Sequence, residues 1–242
     1  MSEKNEAEKI EELKGLIENA NYVTFLTGAG VSVPSGIPDY RSKGGLYKRQ
    51  KYEFPPEYML SHDNLIKHPD IFHQFVVENM YFPDAEPNII HTKMAEISNE
   101  KGTIVTQNVD KLHTKAGAKH VVEFHGNLYD NIHCLTCGKE FDYKEYIKDY
   151  RHHEDDGIIR PGTTVLYGEG INPDNIENAV AAIENADLIV VVGTSFKVYP
   201  FAGLLSYKNA NTKLVAVNKE NLDLDSSVLA ITDDATNVFE KL

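Results

Sequence analysis

Residues 24–41 read TFLTGAGVSVPSGIPDYR, and this stretch decides the fold. The apolar run Tyr22–Thr27 is rich in β-forming residues and ends at the turn Gly28-Ala29-Gly30. A glycine turn directly after a buried strand is where a doubly wound α/β sheet binds the pyrophosphate of a dinucleotide, since glycine lets backbone N–H groups approach the phosphates. Val33 stands where the usual G-x-G-x-x-G pattern has its third glycine, so an ordinary strand-to-helix turn explains the two glycines equally well.

The second half of the stretch predicts a functional loop. Pro38 disfavours a helix at this point, so Asp39, Tyr40 and Arg41 come onto a loop beside the glycine turn. The Arg41 guanidinium suits phosphate oxygens, and the Tyr40 ring can cover a flat heterocycle. A solvated surface loop would explain why these residues are polar but not why they follow the turn in this order.

The rest of the chain alternates strand-like and helical segments. Helical spacing covers residues 6–20, 88–100, 173–186 and about 200–210. Short apolar runs predict buried parallel strands at residues 22–27, 103–106, 120–124, 164–166, 187–192, 213–217 and 228–231. This alternation predicts an α/β fold with a Rossmann-like parallel sheet and helices on both of its faces.

Two segments interrupt the alternation and predict a smaller lobe. Residues 40–82 are rich in Tyr, His and Pro and contain helical pieces, and residues 131–160 contain a C-x-x-C pair and a polar run. We therefore expect a discontinuous Rossmann-like domain made of residues 1–39, 83–130 and 161–242. The two inserts are expected to form a lobe that is helical in its first part and resembles a zinc ribbon in its second.

The composition narrows the function classes. The 242 residues carry a formal net charge of −13, which argues against a nucleic-acid surface because that needs a basic face, but tolerates lysine-bearing peptides as partners. No apolar run reaches the ~18–20 residues that span a bilayer, and residues 1–12 are acidic and polar, so a cytoplasmic protein is expected. The oligomeric state is left open.

At this point the sequence resembles the sirtuins, which are NAD-dependent protein-lysine deacylases. The resemblance spans nearly the whole chain and rests on several ordered motifs. They are GAGVS at 28–32, GIPDYRS at 36–42, TQNVDKLH at 106–113, EFHG at 123–126, Arg160-Pro161, Tyr167-Gly168-Glu169, Gly193-Thr194-Ser195 with Val198 and Pro200, and Asn218-Lys219.

The resemblance implies an NAD site and a catalytic base. Val109 and Asp110 would hold the nicotinamide amide, while Gln107 and Asn108 would place the ribose, with Asn108 also counted as catalytic. His125 would be the general base that activates a ribose hydroxyl after the acyl-lysine oxygen has displaced nicotinamide. The remaining implied NAD contacts are Gly28, Ala29, Gly30, Val33, Asp39, Tyr40, Arg41, Gly193, Thr194, Ser195, Asn218, Lys219 and Asp234.

The substrate side follows from the same resemblance. Tyr167, Gly168, Glu169 and Val198 would flank an acyl-lysine peptide held as an added strand. The stretch FHQFVV at 72–77 has no arginine to bind an acidic acyl group, so a neutral acyl group such as acetyl is expected. A protein ADP-ribosyltransferase, an NAD hydrolase and a non-catalytic NAD sensor are the alternatives.

The cysteines depart from the sirtuin pattern. Sirtuins commonly hold structural zinc with two C-x-x-C pairs, whereas this chain has only Cys134 and Cys137. Family spacing places His152 and Asp155 at the second pair, and both residue types can ligate zinc. His153 and Asp156 offer the same spacing one residue later, and a metal-free lobe is equally compatible with the sequence. A redox pair is disfavoured because no β-α-β unit surrounds it.

Overall fold

The computed structural model describes residues 4–39, 45, 54–154, 156–225 and 227–242. Tyr40, Arg41 and Asp155, three of the expected site residues, lie outside these ranges. In chain order the helices and strands are α1 (Glu6–Asn19), β1 (Val23–Thr27), α2 (Pro56–Met59), α3 (His62–Lys67), α4 (Pro69–Asn79), α5 (Ile89–Lys101), β2 (Gly102–Thr106), α6 (Leu112–Lys115), β3 (Val121–Glu123), β4 (Ile132–Cys134), β5 (Glu140–Phe141), α7 (Tyr143–Lys148), β6 (Arg151–His152), β7 (Gly157–Arg160), α8 (Pro173–Asn185), β8 (Leu188–Val192), β9 (Lys213–Asn218), β10 (Leu229–Thr232) and α9 (Ala235–Phe239).

Six parallel strands form the main sheet in the order β10-β9-β8-β1-β2-β3. The chain runs outward from β1 in one direction through β2 and β3, and in the other direction through β8, β9 and β10. Thr27 is level with Thr106 on one side and with Val192 on the other, so three neighbouring strands end together. Ligands of such sheets bind in the crevice beyond the carboxyl ends of the strands, where the strand order reverses.

Both faces of the sheet are buried, which confirms the predicted α/β fold. Side chains alternate along each strand, so Val23 and Phe25 pack on the face covered by α1 and α5, while Leu26 packs on the opposite face. Helix α8 covers that opposite face with Ala179 and Ile183. The double coverage explains why the strands are almost continuously apolar.

Helix α1 shows how local sequence signals fix one of these layers. Asn5 caps the helix by accepting a hydrogen bond from the Glu8 amide, and the Glu8 carboxylate accepts one from the Asn5 amide. Ile10, Leu13 and Ile17 fall on one side of the helix and are buried against the sheet. Each such side chain contributes about 1.5–3 kcal/mol when it is removed from water.

A second, four-stranded sheet has the order β5-β4-β7-β6 and is antiparallel. It packs with helices α2, α3, α4 and α7 around a separate apolar cluster that includes Phe72, Phe75, Tyr146 and Ile159. We call this sheet and these helices the small lobe. The exact domain boundaries expected from the sequence stay a prediction.

Two sequence expectations are wrong in detail. Residues 164–166 are not a strand of the main sheet, because the Val165 amide donates to the His125 carbonyl while Tyr167 pairs with Ser61 of the small lobe. The helix expected at about residues 200–210 is a 3₁₀ helix, Phe201–Tyr207. Within the described ranges, no helix combines the length and apolarity needed to cross a bilayer.

Candidate active site

A cleft of about 540 Å³ opens at the carboxyl edge of the main sheet, between this sheet and the small lobe. It receives residues that follow β1, β2, β3, β8, β9 and β10 of the main sheet. Those expected from the sequence are Ala29, Gly30, Val33, Asp39, Gln107, Asn108, Val109, His125, Tyr167, Gly168, Glu169, Gly193, Thr194, Ser195, Val198, Asn218, Lys219 and Asp234. The sheet therefore brings together residues that are as much as 205 positions apart in sequence, from Ala29 to Asp234.

The glycine turn after β1 packs directly against the turn after β8. A Cβ on Gly30 would lie 2.6 Å from the Gly193 carbonyl oxygen, and one on Gly28 would lie 2.7 Å from the Thr194 Cβ. The Gly28 and Gly30 amides donate to the carbonyls of Val192 and Gly193. Both glycines thus serve first to let two strand ends meet, and Gly28 lies behind the cleft wall rather than in it.

Polar side chains after β2 form a hydrogen-bonded group. The Thr194 hydroxyl donates to the Gln107 side-chain oxygen at 3.0 Å, which leaves the Gln107 amide group as a donor. The Asn108 amide donates to the Ser32 hydroxyl at 3.1 Å, and that hydroxyl donates to an Asp110 carboxylate oxygen at 2.7 Å. These bonds fix the side chains before any ligand arrives.

Asp110 does not line the cleft surface. Burial raises the pKa of its carboxyl, although hydrogen bonds from the Leu112 amide and the Ser32 hydroxyl oppose this shift. Of the two residues expected to hold the nicotinamide amide, Val109 lines the cleft and Asp110 does not.

His125 follows β3, and its surroundings determine its protonation state at neutral pH. Its Nδ1 lies 3.4 Å from the Gln107 carbonyl oxygen, which can only accept, so Nδ1 carries the hydrogen and Nε2 is the basic nitrogen. Burial lowers the pKa of the imidazole below its ordinary 6.5, with only partial opposition from this hydrogen bond. The ring packs against Phe124 and Phe201, and it is neutral and able to accept a proton at pH 7.

The far end of the cleft lies beyond β9 and β10. The Lys219 ammonium and the Asp234 carboxylate form an ion pair at 2.8 Å, and Asp234 also caps α9 by accepting from the Thr236 amide. The Asn218 side chain donates to the Glu220 carbonyl at 2.9 Å. These contacts hold three of the expected residues, Asn218, Lys219 and Asp234, in the lining of the cleft.

Two chain segments face each other across the mouth of the cleft, residues 164–169 and 193–200. Gly168 has a positive φ of 91°, a conformation that glycine adopts readily, in the turn closed by the Glu169 amide donating to the Leu166 carbonyl. The Tyr199 ring beside Pro200 is largely exposed, as is part of the Tyr167 ring. These two segments contain the residues that the resemblance implies as flanks of a peptide, Tyr167, Gly168, Glu169 and Val198.

A cluster of metal-ligand residues lies in the small lobe. Ligand atoms of Cys134, Cys137 and His152 all lie within 4.8 Å of one another. Burial by itself would raise the pKa of the Cys134 thiol, but hydrogen bonds from the backbone amides of Cys137 and Thr136 bring it below its ordinary value. A stabilised thiolate is the form that binds zinc.

The third residue of this cluster is oriented from both sides. His152 Nδ1 lies 3.5 Å from the Cys137 sulfur, while its Nε2 lies 3.3 Å from a Glu154 carboxylate oxygen. A carboxylate on the second ring nitrogen of a histidine fixes the tautomer in many zinc sites. Two sulfurs and one imidazole therefore fit a structural zinc ion, and the fourth ligand expected at Asp155 lies outside the described residues.

A model of the Sir2 family matches residues 28–200, which is well over half of the chain. The chain belongs to the Sir2 family. A protein of Listeria monocytogenes serotype 4b (strain F2365), named NAD-dependent protein deacetylase, is 53% identical over 231 residues that cover 95% of this chain and 99% of the relative. A protein of the same name from Lactiplantibacillus plantarum is 47% identical over 225 residues, covering 93% and 94%.

Solved Sir2 structures share the fold over nearly the full length. One reported for the mechanism and regulation of Sir2 enzymes has a TM-score of 0.86 and 29% identity, covering 97% of this chain and 96% of its own. A Sir2 complex with a p53 peptide and NAD+ has a TM-score of 0.82 and 30% identity, with 96% of each chain covered. These likenesses confirm the sirtuin resemblance seen in the sequence.

The structure of this Sir2 protein also shows site residues that sequence reasoning missed. Leu60, Met80 and Ile171 line the cleft with apolar surface, yet in the sequence they look like ordinary core positions of helices and loops. In contrast, Phe72, Phe75 and Val76 of the stretch expected to select the acyl group are buried in the small-lobe core. Periodicity along the chain gives no signal for which apolar residues of a lobe will face a cleft.

Proposed function

We propose that this Sir2 protein is an NAD-dependent protein-lysine deacylase, and most specifically a deacetylase. The observation that carries the proposal is a neutral histidine, His125, in the same cleft as the ends of β1, β2, β8 and β9. The relatives named NAD-dependent protein deacetylase, at 41–53% identity, support the same activity. An acyl-lysine protein or peptide is the proposed partner, while a location in the cytoplasm stays a prediction.

NAD is proposed to lie along the cleft. The pyrophosphate is proposed to lie at Ala29, between the turns that follow β1 and β8, with the adenosine toward Asn218, Lys219 and Asp234. The nicotinamide ribose is proposed to lie at Gln107 and Asn108, whose amide groups donate to hydroxyl oxygens. Uncharged donors suit this position because the chain as a whole is acidic and would repel phosphate. Since the Gly28 and Gly30 amides already donate to Val192 and Gly193, we propose the Ala29 amide as the donor from this turn.

NAD supplies a glycosidic bond whose cleavage releases nicotinamide and leaves a sugar carbon open to an amide oxygen. Val109 and Asp110 are proposed to hold the carboxamide at the position from which it leaves. His125 Nε2 accepts the proton of a ribose hydroxyl, so that this oxygen can take over the acyl group from lysine. One water molecule is consumed as the lysine amine leaves, so the products are nicotinamide, free lysine and an O-acyl-ADP-ribose.

The acyl group is proposed to be neutral and short. Leu60, Met80 and Ile171 give the cleft apolar walls on the substrate side. Among the described lining residues, the one cationic side chain is Lys219, and it is paired with Asp234. A succinyl or malonyl carboxylate would therefore lose its hydration without gaining a partner, which is unfavourable.

Peptide dependence separates this function from its alternatives. With NAD and a panel of acetyl-, propionyl- and succinyl-lysine peptides, we expect nicotinamide release only in the presence of an acyl peptide, fastest with acetyl. An NAD hydrolase would release nicotinamide equally well without peptide. A protein ADP-ribosyltransferase would leave ADP-ribose on a protein, and a sensor would bind NAD and release nothing.

A further inference from the structure

The wall formed by residues 164–169 belongs to neither sheet, yet it has a defined course. The Val165 amide donates to the His125 carbonyl, and the Tyr167 amide donates to the Leu60 carbonyl at 2.9 Å. The Glu169 amide closes a turn by donating to the Leu166 carbonyl at 3.0 Å. Among the described residues, the Val165 carbonyl has no hydrogen-bond partner, so this wall offers a main-chain acceptor.

The Glu169 carboxylate is fully engaged within the protein. One oxygen accepts from Arg160 at 2.7 Å and lies 2.8 Å from His62 Nδ1. The other oxygen accepts from the second Arg160 nitrogen at 2.8 Å and from the Leu166 amide at 2.9 Å. Both carboxylate oxygens are thus engaged by groups of the protein itself.

Arg160 ties the two ends of the wall together. Both terminal nitrogens of Arg160 donate to Glu169, and one of them, Nη2, also donates to the Thr164 carbonyl at 2.7 Å. Only 15% of the Arg160 side chain and 20% of the Glu169 side chain are exposed, so the pair is shielded from water. A two-pronged arginine–carboxylate pair of this kind is directional as well as strong.

His62 links the same carboxylate to the small lobe. It begins α3, its amide donates to the Tyr167 carbonyl at 3.0 Å, and its side chain is 52% exposed. Burial would raise the pKa of the Glu169 carboxyl, but hydrogen bonds from Arg160, the Leu166 amide and His62 bring it to about 2. The carboxylate is therefore charged at every pH at which the protein is expected to work.

We propose that Glu169 is a positioning residue for the acyl-lysine peptide: held by Arg160 and His62, its carboxylate keeps the wall in the course that a substrate main chain can join. This inference rests on the proposed function, since it concerns how that substrate is held. It predicts that weakening the clamp loosens peptide binding while NAD binding is unchanged, because no NAD contact proposed above belongs to the clamp.

The test compares Glu169→Gln with wild type. The substitution keeps the shape but removes the charge, and Kd for a fluorescent acetyl-lysine peptide is expected to rise about tenfold, as for the loss of one charge-assisted hydrogen bond. The KM for peptide should rise in parallel, while the Kd for NAD, measured by calorimetry, should change by less than about twofold. Glu86→Gln, which removes an exposed charge paired with Lys115, is the matched control and should leave both constants unchanged.

His62→Ala provides a second variant in case Glu169→Gln does not fold. It removes one contact to the same carboxylate from a half-exposed position, and we expect the peptide Kd to rise about twofold to threefold with NAD binding intact. A wild type that turns over the peptide, with folded variants that bind it as tightly as wild type does, would overturn the inference. A wild type that binds the peptide without releasing nicotinamide would overturn the proposed function while leaving the inference standing, and one that does not bind it would overturn both.

Discussion

The carboxyl edge of the main sheet and the small lobe reach their geometry in different ways. At the edge, main-chain hydrogen bonds align β1 with β2 and β8 residue by residue, so whatever follows these strands must meet. In the small lobe the strands are two to four residues long, and their positions depend on side-chain packing in the core around Phe72 and Tyr146. The comparison shows that one site is set by register and the other by packing and metal ligands.

Removing the proposed base, His125, should have the largest effect on turnover, and it tests only the carboxyl edge of the main sheet. For His125→Ala we expect turnover of an acetyl-lysine peptide to fall by about 10²–10⁴-fold, the range typical of a lost general base. NAD affinity should stay close to wild type, while Tm should fall modestly because the ring no longer packs against Phe124 and Phe201. Activity within a factor of two of wild type would refute the assignment of His125.

Disturbing the metal cluster should act on the small lobe. Cys134→Ser is expected to reduce bound zinc from about one ion per chain to nearly none and to lower Tm by at least ~5 °C, because a structural metal contributes to folding. Thr136→Ser, which leaves every proposed ligand in place, is the matched control. Elemental analysis that finds no zinc in wild-type protein prepared without chelator would show that this cluster does not hold zinc.

The pH profile should report the imidazole at the edge. Because His125 must be neutral to accept a proton, activity is present above its pKa and is lost as pH falls through it. Burial lowers that pKa, so kcat/KM should be flat from pH 7 to 8 and should fall about tenfold per pH unit only below an apparent value under 6.5. An acid limb centred above pH 7 would contradict the burial argument.

The contact between the two glycine turns gives the smallest effect. In Gly30→Ala the new Cβ would stand 2.6 Å from the Gly193 oxygen, so the turns must separate, at a cost of about 1–3 kcal/mol in stability and a raised KM for NAD. Gly15→Ala is the matched control, since a Cβ at this position in α1 meets nothing within 4 Å and should stabilise by roughly 0.5–1 kcal/mol. Equal effects of the two substitutions on NAD binding would mean that turn contact does not shape the cleft.

The success of the sequence predictions differs between the same two regions, the carboxyl edge of the main sheet and the small lobe. Gln107, His125 and Gly193 were predictable because each directly follows an apolar run, Gly30 because it lies in the turn after one, and parallel strands end at one edge. Their detailed contacts were not, since the Gly30–Gly193 approach depends on which strands are neighbours.

In the small lobe, prediction worked only where ligand spacing constrained it. Family spacing predicted Cys134, Cys137 and His152 as ligands, and the structure brings them together, whereas nothing in the sequence pattern indicated the contact between the Glu169 carboxylate and Arg160. The strand predicted at residues 164–166 is absent for a related reason. Its apolar residues satisfy the pattern of a buried strand, but a side-chain clamp and the small lobe decide its course.

A crystal structure with NAD and an acetyl-lysine peptide tests the central claim most directly. The account predicts the peptide between residues 164–169 and 193–200, its acetyl oxygen facing the sugar carbon that carries nicotinamide, and His125 Nε2 about 3 Å from a ribose hydroxyl. An imidazole out of reach of the sugar, or a dinucleotide bound away from the ends of β1 and β8, would contradict it.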